Sequence, residues 1–495
     1  MNEQTSSVER ELKLGVPSGF SLARLPGQLK NYVASPARFL RLHTVYYDTA
    51  DYRLMRWGCS LRYRRGEGWT LKIPVLDSSS DTLSRTEHVF EGDLDRIPKA
   101  ALELATAFLR GAPVKRVAEL RTLRVKRDFR CEGSDIAEVV EDDVRVVDGT
   151  RVAQRFGQVE IELAQDADPD ALDAIAAVLQ NEGCGEPDPT PKNARAVESD
   201  GSPEIEVPSV EHGASIGDVV RAALGTPLRH FMHCDPLLRT SDDIEAVHKA
   251  RVSIRKLRSH LHTFVPVLDE AWASDLRERL RWLQDALAPV RDADVFHQRM
   301  QALAERLPHA DIERAKELIE TLAARVKEQH DGLRKRVRDP HYVELLDDLV
   351  NSVREPRFAK DPDDDATQCM AQIMQRVFKK TRKQVRKAGK QPSDRALHRI
   401  RIKSKHLRYA SEAFAGATSN SAARYAVRVE SLQEMLGDQH DGVVALQRLR
   451  AFDGSPPARF AAGELAIMAA GAGSDASLRW RATWKKLARK RGRFW

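Results

Sequence analysis

A block of eleven residues occurs twice in this chain, and its duplication narrows the possible folds more than any other feature. His248–Arg258 reappears 150 positions later as His398–Arg408, with basic residues in the same places. On an α-helix, the offsets 0, +3, +7 and +10 fall within an arc of roughly 80°. Each copy therefore predicts a helix with a narrow basic stripe that begins with a histidine. The two stripes are His248, Arg251, Arg255 and Arg258, and His398, Arg401, Lys405 and Arg408.

The repeat extends beyond these stripes. Residues 283–295 parallel residues 432–444 at an offset of 149 positions, so a single insertion or deletion separates the two matches. A register held over this length predicts an internally duplicated helical bundle.

The basic residues are concentrated in the second half of the sequence. The chain has a net charge of +7, from 80 Lys and Arg against 73 Asp and Glu. Residues 1–200 contain 28 of the basic and 33 of the acidic residues, which leaves 52 and 40, a net charge of +12, for residues 201–495. This balance predicts a polyanionic partner for the second half.

The stripes differ from those of most proteins that bind nucleic acid. Binders of single strands usually place aromatic residues among the basic ones, where the bases stack. Here a single aromatic residue, Tyr409, follows the second stripe. The pattern favours a phosphate polymer without bases over nucleic acid.

The first part of the chain has a different periodicity. From Val8 to about Leu163, several segments alternate with a period of two, which predicts β-strands. We place a linker at residues 198–212, between an N-terminal domain at residues 5–197 and the helical domain at residues 213–495. The expected fold class is a two-domain α+β protein.

The cysteines and the N-terminus indicate in which cellular compartment the protein is expected. The five cysteines form no Cys-x-x-Cys pair, which favours a reducing compartment over a disulfide framework. The N-terminus has no signal-peptide pattern, and no apolar run approaches the roughly 18 residues of a membrane span. We therefore expect a cytoplasmic protein that has no membrane partner.

Several of the predicted strands carry their charges on one face. Glu9, Glu11 and Lys13 share a face at one end of the domain, and Glu160 and Glu162 share a face at the other. An ordinary sheet with its charged face in water is one interpretation. In the other, the acidic pairs converge on a divalent cation, and hard oxygen ligands suit Mg²⁺ or Mn²⁺. Acidic and basic pairs on separate strands favour the second, with a charged interior inside a barrel or tunnel.

These motifs resemble the CYTH domain of the triphosphate tunnel metalloenzymes. The resemblance covers residues 5–197 in order and includes Glu9-x-Glu11-x-Lys13, Leu61-Arg-Tyr-Arg64, Thr70-Leu-Lys72-Ile, Arg85-Thr-Glu87, the Glu160/Glu162 pair and a closing Lys192-x-x-Arg195. It implies an eight-stranded antiparallel β tunnel or barrel with flanking helices, which hydrolyses or cyclises triphosphates with Mg²⁺ or Mn²⁺.

The resemblance also implies roles for individual residues. The metal ligands or their close supports would be Glu9, Glu11, Glu160 and Glu162. The catalytic residues would be Lys13 and Glu138, and the triphosphate would bind Arg62, Arg64, Lys72 and Arg85. One basic residue of the segment Leu123–Asp128 should also face the interior. We favour Arg127, and alternation leaves Arg124 and Lys126 open because they have the opposite parity.

The helical half resembles the CHAD domain, a conserved-histidine α-helical domain, from about Ser215 to Leu449. The resemblance implies two four-helix units related by pseudo-twofold symmetry, with repeats at about residues 215–350 and 365–495. It also implies a basic cavity in which both stripes bind inorganic polyphosphate.

The two resemblances together lead to one expected function and two alternatives. The expected function is metal-dependent hydrolysis of inorganic triphosphate to diphosphate and phosphate in the tunnel, with polyphosphate binding by the helical domain. One alternative is a polyphosphate-binding or granule-targeting protein with little catalysis. The other is a thiamine triphosphatase or an adenylyl cyclase, although no segment of the sequence indicates an adenine pocket.

Overall fold

The computed structural model describes residues 6–17, 19–75, 84–188, 190–199, 201–471, 476–489 and 493–495. Within these ranges, the side chains of residues 6–9, 84, 438–441, 470–471 and 476–479 lie outside the description. The chain divides into two compact units, Met1–Glu204 and Ile205–Trp495. The first unit is rich in strands and the second is helical, which confirms the two-domain α+β class.

The first unit is built mainly from strands. They are β1 Ser6–Gly15, β2 Gln28–Leu29, β3 Tyr32–Ala34, β4 Arg38–Asp48, β5 Ser60–Arg64, β6 Gly68–Pro74, β7 Ser84–Phe90, β8 Lys115–Cys131, β9 Ser134–Asp148 and β10 Arg151–Leu163. Its helices are α1 Arg53–Arg56, α2 Lys99–Leu104, α3 Thr106–Leu109, α4 Asp170–Asn181 and α5 Lys192–Ala196, with a 3₁₀ turn at Leu22–Arg24.

Eight of these strands close into a ring. Their order is β8-β4-β5-β6-β7-β1-β10-β9, and β9 also pairs with β8, so that the last strand meets the first. Every pairing in the ring is antiparallel. The β2–β3 hairpin adds to β8 outside the ring. The predicted eight-stranded antiparallel barrel is therefore confirmed, and closure satisfies the hydrogen-bonding groups that an open sheet leaves at its edges.

One apolar cluster of this barrel lies on its outer side. Leu14, Val159 and Ile161 of neighbouring strands pack in one cluster with Ile175 and Leu179 of α4. Because side chains alternate along a strand, the residues between these apolar ones point to the other face. The sequence that buries Leu14 against α4 therefore turns Glu11 and Lys13 of β1 and Glu160 and Glu162 of β10 into the barrel.

A buried carboxylate lies near the end of the first unit, within the segment expected to be a linker. Glu204 accepts hydrogen bonds from the Trp57 indole at 2.6 Å and from the Arg110 guanidinium at 2.5 Å. The Arg110 side chain is fully buried, so this ion pair compensates its charge. The segment is therefore packed at Glu204.

The second unit consists of helices: α6 Ile216–Thr240, α7 Ile244–Thr263, α8 Glu270–Ala304, α9 His309–Val337, α10 Pro340–Arg354, α11 Ala366–Lys387, α12 Asp394–Ala413, α13 Ser421–Arg450, α14 Pro456–Gly471 and α15 Ala476–Leu487. The two basic stripes lie at equivalent places, on α7 and on α12, and these helices also pack on each other. α7 packs against α6 and α8, and α12 packs in the same way against α11 and α13. Within the described ranges, no helix has both the length and the apolar character needed to cross a bilayer.

Candidate functional site

The barrel encloses a cavity of about 240 Å³ whose walls are almost entirely charged. Among the described side chains of its lining, Val140 is the one apolar residue and none is aromatic. The charged lining residues are Glu11, Arg62, Arg64, Lys72, Glu87, Arg124, Glu138, Glu160 and Glu162. The structure thus brings predicted acidic and basic residues from distant parts of the sequence to one cavity.

Three of the carboxylates form a row across adjacent strands. Glu11 on β1 lies opposite Glu162 on β10, and Glu162 lies opposite Glu138 on β9. Directly opposite residues place their Cβ atoms about 5 Å apart, and like charges in such positions repel each other. Carboxylate oxygens are also the ligands that Mg²⁺ and Mn²⁺ prefer. The chemistry of this donor set therefore fits a divalent cation.

Nearby basic side chains neutralise part of this row. Lys13, which is 6% exposed, donates to Glu11 at 2.7 Å, and Arg85 donates to the same carboxylate at 2.9 Å. Glu138 accepts a hydrogen bond from Lys126. Among the described side chains, no group of three or more His, Cys, Asp or Glu is arranged closely enough to be a metal site as it stands. The backbone of Glu9 in β1 pairs with that of Arg85 in β7, but the Glu9 side chain lies outside the described residues.

A second cluster, buried beside the row, contains two carboxylates and two cations. Arg124 donates to both oxygens of Asp142, each at 2.8 Å. Lys192 lies 2.5 Å from Asp142 and 2.8 Å from Glu160. Burial acts to raise the pKa of Glu160, but Lys192, Lys13 and Arg124 outweigh it and hold that pKa far below its usual range. The pKa of Asp142 is lowered in the same way, by Lys192 and Arg124 against the effect of burial.

Sequence reasoning missed two members of this cluster. Asp142 was given no role, although it has the same strand parity as Glu138, and this parity could have identified it. Lys192 entered only as part of a closing motif. Lys192 is the first residue of α5, the last helix of the unit, and its ion pair with Glu160 joins this helix to the cavity wall.

Acid is expected to destabilise the barrel through this cluster. Because the pKa values of Asp142 and Glu160 are lower in the folded state, their stabilisation is present above about pH 4 and is lost as the pH falls below the unfolded-state values. Native-state hydrogen exchange of barrel amides between about pH 5 and pH 3 should show the opening free energy falling with pH. Asp142→Asn should weaken that dependence, whereas Asp135→Asn, at an exposed pair with Arg130, should leave it unchanged. Equal pH dependence in all three proteins would exclude this role for Asp142.

The predicted phosphate-binding residues of β5 and β6 also reach the cavity. Arg62 lies 3.4 Å and Lys72 lies 3.6 Å from the carboxylate of Glu87, a residue that was not assigned a role. Arg64 donates to Thr44 at 3.2 Å and forms an ion pair with Glu67 at 2.9 Å. The pKa of Arg64 is lowered by burial and by the neighbouring Arg62. These like charges, held close together, form a cationic wall of the cavity.

The expectation that Arg127 faces the interior is wrong. Arg127 is 4% exposed and lies on the outer side of β8, where its guanidinium donates to the carbonyl oxygens of Leu22, Leu25, Ala34 and Ser35. Arg124 and Lys126 have the inward parity, and Arg124 lines the cavity.

Glu141 also lies on the outer side of the barrel. Its carboxylate accepts the backbone N–H of Leu22 at 2.7 Å. Glu141 and Arg127 therefore both fasten the segment that precedes β4 to the outside of the barrel.

The helical unit has a larger cavity, of about 400 Å³, which we call the helical cavity. It is lined by both copies of the repeat, and none of the described side chains in its lining is acidic. Five stripe residues line it, namely Arg251, Arg255, Arg258, His398 and Lys405. Arg277 of α8, Gln284, His406 and Tyr409 also line it, and Arg255 donates to the Tyr409 hydroxyl at 2.8 Å. Sequence reasoning missed Arg277 because it lies outside the repeated stripe.

The other three stripe residues are not in the lining of the helical cavity. Arg408 forms ion pairs with Glu412 at 2.6 Å and with Glu430 at 2.5 Å. The guanidinium of Arg401 lies against the buried Gly437 of α13. His248 is half-buried, and burial and then the neighbouring Arg291 lower its pKa. These positions indicate that the repeated motif also fastens α7 and α12 to their neighbours.

Comparisons with known proteins agree with this architecture. The model of the CYTH domain matches residues 7–190, and that of the CHAD domain matches residues 222–450. The uncharacterized protein Rv2226 of Mycobacterium tuberculosis is 29% identical over 446 residues, which cover 83% of this chain and 82% of that protein. PptA from Streptomyces chartreusis has 19% identity and a TM-score of 0.46, covering 55% of this chain and 100% of that one. The CHAD domain from the plant Ricinus communis has 25% identity and a TM-score of 0.47, covering 57% and 95%.

The family matches fix the general chemistry of the two units. CYTH domains are tunnel metalloenzymes that depend on divalent cations and act on triphosphates as triphosphatases or cyclases. CHAD domains are associated with polyphosphate. The ring of strands with its charged cavity and the duplicated helices with their basic cavity correspond to these two domains in order. This chain is a CYTH–CHAD protein.

Proposed function

We propose that the first unit hydrolyses inorganic triphosphate to diphosphate and phosphate with Mg²⁺ or Mn²⁺. The observation that carries this proposal is the lining of the barrel cavity, which combines four cations and five carboxylates with one apolar residue. A nucleotide base or a thiamine ring needs apolar or aromatic surface. Inorganic triphosphate needs only charge-assisted hydrogen bonds, which Arg and Lys supply.

The lining residues divide into two groups by their chemistry. Arg62, Arg64, Lys72 and Arg124, with Arg85 beside Glu11, would hold the phosphate oxygens and stabilise the charge of the leaving diphosphate. Glu11 and Glu162 of the row, with Glu9 and Glu160, would hold the divalent cation, which polarises the phosphoryl group when bound. Glu138 would accept the proton of the attacking water, and Lys13 would neutralise charge beside Glu11.

The substrate preference can be measured directly. We expect phosphate release from tripolyphosphate with a kcat/KM at least about tenfold above that for ATP or thiamine triphosphate, because tripolyphosphate has charged oxygens at both ends for the cationic lining, whereas an organic triphosphate has a ring at one end. Chelation of the divalent cation should stop the reaction. A higher kcat/KM for either organic triphosphate would contradict the proposal.

The second unit would bind inorganic polyphosphate in the helical cavity. The supporting observation is that basic side chains from both repeats meet there, with no acidic residue among the described side chains of the lining. Polyphosphate has a high linear charge and no bases, so electrostatic attraction alone can hold it. Such binding would keep the protein at polyphosphate granules in the cytoplasm.

Arg255→Ala/Lys405→Ala should weaken polyphosphate binding by about tenfold, since each residue contributes one charge from one repeat. The matched control is Lys249→Ala/Arg399→Ala, which removes two charges from equivalent exposed positions beside the two histidines. Dissociation constants for both variants should be measured at several salt concentrations. Equal losses in the two variants would mean that only net charge matters and would exclude the helical cavity as the site.

A further inference from the structure

A second cationic cluster lies beside the helical cavity, where α11 packs against α7 and α12. It contains Arg376 and Lys380 of α11, His262 of α7, and Lys403 and His406 of α12. We call these five residues the α11 cluster. Lys380 donates to His262 at 2.9 Å, and the rings of His262 and His406 meet edge to face at 5.9 Å. The basic run at residues 378–387 supplies part of this cluster.

Among the side chains that the structure describes, the α11 cluster has no acidic partner. In the described part of the chain, none of its five side chains forms an ion pair with a carboxylate, and none of the residues lining the small cavity between them is acidic. Other cations of the same two helices differ, since Lys256 pairs with Glu412 at 3.1 Å and Arg408 pairs with Glu412 and Glu430. Cations that converge without a counter-charge form a place where an anion is stabilised.

Burial and the neighbouring cations lower the pKa values of several residues of the cluster. Burial and then the neighbouring Lys380 lower the pKa of His262 to about 3. Burial and then Lys403 lower the pKa of His406 to about 4. The pKa of Lys380 is also lowered, by burial and then by Arg376. Near neutral pH the cluster therefore presents lysine and arginine charges together with neutral imidazoles that can donate hydrogen bonds.

The α11 cluster adjoins the helical cavity. His406 lines both, and Arg277, in the wall of the helical cavity, contributes to the lowered pKa values of both His262 and His406. A linear polyanion that occupies the helical cavity therefore meets a second set of cations directly beyond His406. A single small anion would need only one of the two places.

We propose that the α11 cluster is a second phosphate subsite, which binds further phosphate groups of the same polyphosphate chain that the helical cavity holds. The inference rests on the polyphosphate binding proposed above. It gives separate roles to the basic residues of α11. Arg376 and Lys380 face the subsite, whereas Lys379 and Lys383 are exposed.

Two double variants of α11 test the subsite in the full-length protein. Arg376→Ala/Lys380→Ala removes two charges from the cluster, and Lys379→Ala/Lys383→Ala removes two exposed charges from the same helix. Dissociation constants for long-chain polyphosphate should be measured between about 50 and 200 mM salt. We expect the cluster variant to bind about tenfold more weakly, with a salt slope smaller by about 1 to 2 because two phosphate contacts are lost. The exposed variant should lose less than about threefold.

Lys403→Ala provides a second approach from α12, in case the α11 variant unfolds, and thermal unfolding checks each protein. Equal affinity and salt slope in the cluster variant and the exposed variant would overturn the subsite. If Arg255→Ala/Lys405→Ala still weakened binding in that case, the helical cavity would stand as the sole site. Absence of polyphosphate binding by the wild-type protein would instead remove both proposals.

Discussion

Replacement of Glu162 by glutamine is expected to slow phosphate release from tripolyphosphate by about 100-fold. Glu162 is the middle carboxylate of the row and lies opposite both Glu11 and Glu138. Glutamine keeps the shape of the side chain but removes the negative charge, so a divalent cation at this row loses its central ligand. Because Glu162 is exposed, we expect no change in the stability of the barrel.

The requirement for the cation separates this effect from a general loss of activity. In Glu162→Gln, part of the lost rate should return as the Mg²⁺ or Mn²⁺ concentration rises, since the variant still has the other carboxylates. Glu119→Gln is the matched control, because Glu119 belongs to the outer face of β8 and lies 2.8 Å from His43. A Glu162→Gln protein with wild-type kcat at the wild-type cation concentration would contradict the metal site.

Arg124 and Arg127, three positions apart on β8, should respond to substitution in opposite ways. Arg127→Met should lower the free energy of unfolding of the barrel by about 3 kcal/mol, because four carbonyl oxygens lose a buried charged donor. Arg124→Met should instead raise the KM for tripolyphosphate, because Arg124 lines the cavity. Asp142 would keep Lys192 as a partner in that variant.

Two measurements on these two variants distinguish the role of Arg124 from that of Arg127. Hydrogen exchange of barrel amides gives the opening free energy, and steady-state kinetics at a temperature where both variants are folded gives kcat and KM. If Arg127→Met kept its stability and lost substrate affinity, the outward position of Arg127 would be refuted. If Arg124→Met changed only the stability of the barrel, a role of Arg124 in binding the substrate would be refuted.

Much of the fold could be predicted from the sequence because the relevant signals are local. Alternation with a period of two fixes which side chains share a face of one strand, and it correctly grouped Glu160 with Glu162, which both line the barrel cavity. The 150-residue repeat likewise predicted two equivalent helices, which are α7 and α12. Both patterns depend only on the geometry of a single element.

Which residues line the two cavities was harder to predict, because that depends on how elements meet. The parity of β8 allowed either Arg127 or Arg124 to face inward, and only closure of the ring through the β8–β9 pairing selects Arg124. Asp142 is recognisable only once β9 is in register with β8 and β10. Arg277 and His406 reach the helical cavity because α8 and α12 pack on α7, and no repeat marks Arg277.

The sequence by itself determined the two kinds of secondary structure, the duplication, and the charge of each face. The tertiary structure decided which face turned inward and which carboxylates lie in one row. It also decided which basic residues, among the described side chains, converge in the α11 cluster without a carboxylate. The physical reason is that hydrogen-bond register and helix packing join residues far apart in the chain. A local pattern fixes the direction of a side chain only relative to its own element, and burial of the apolar face then decides which direction is the interior.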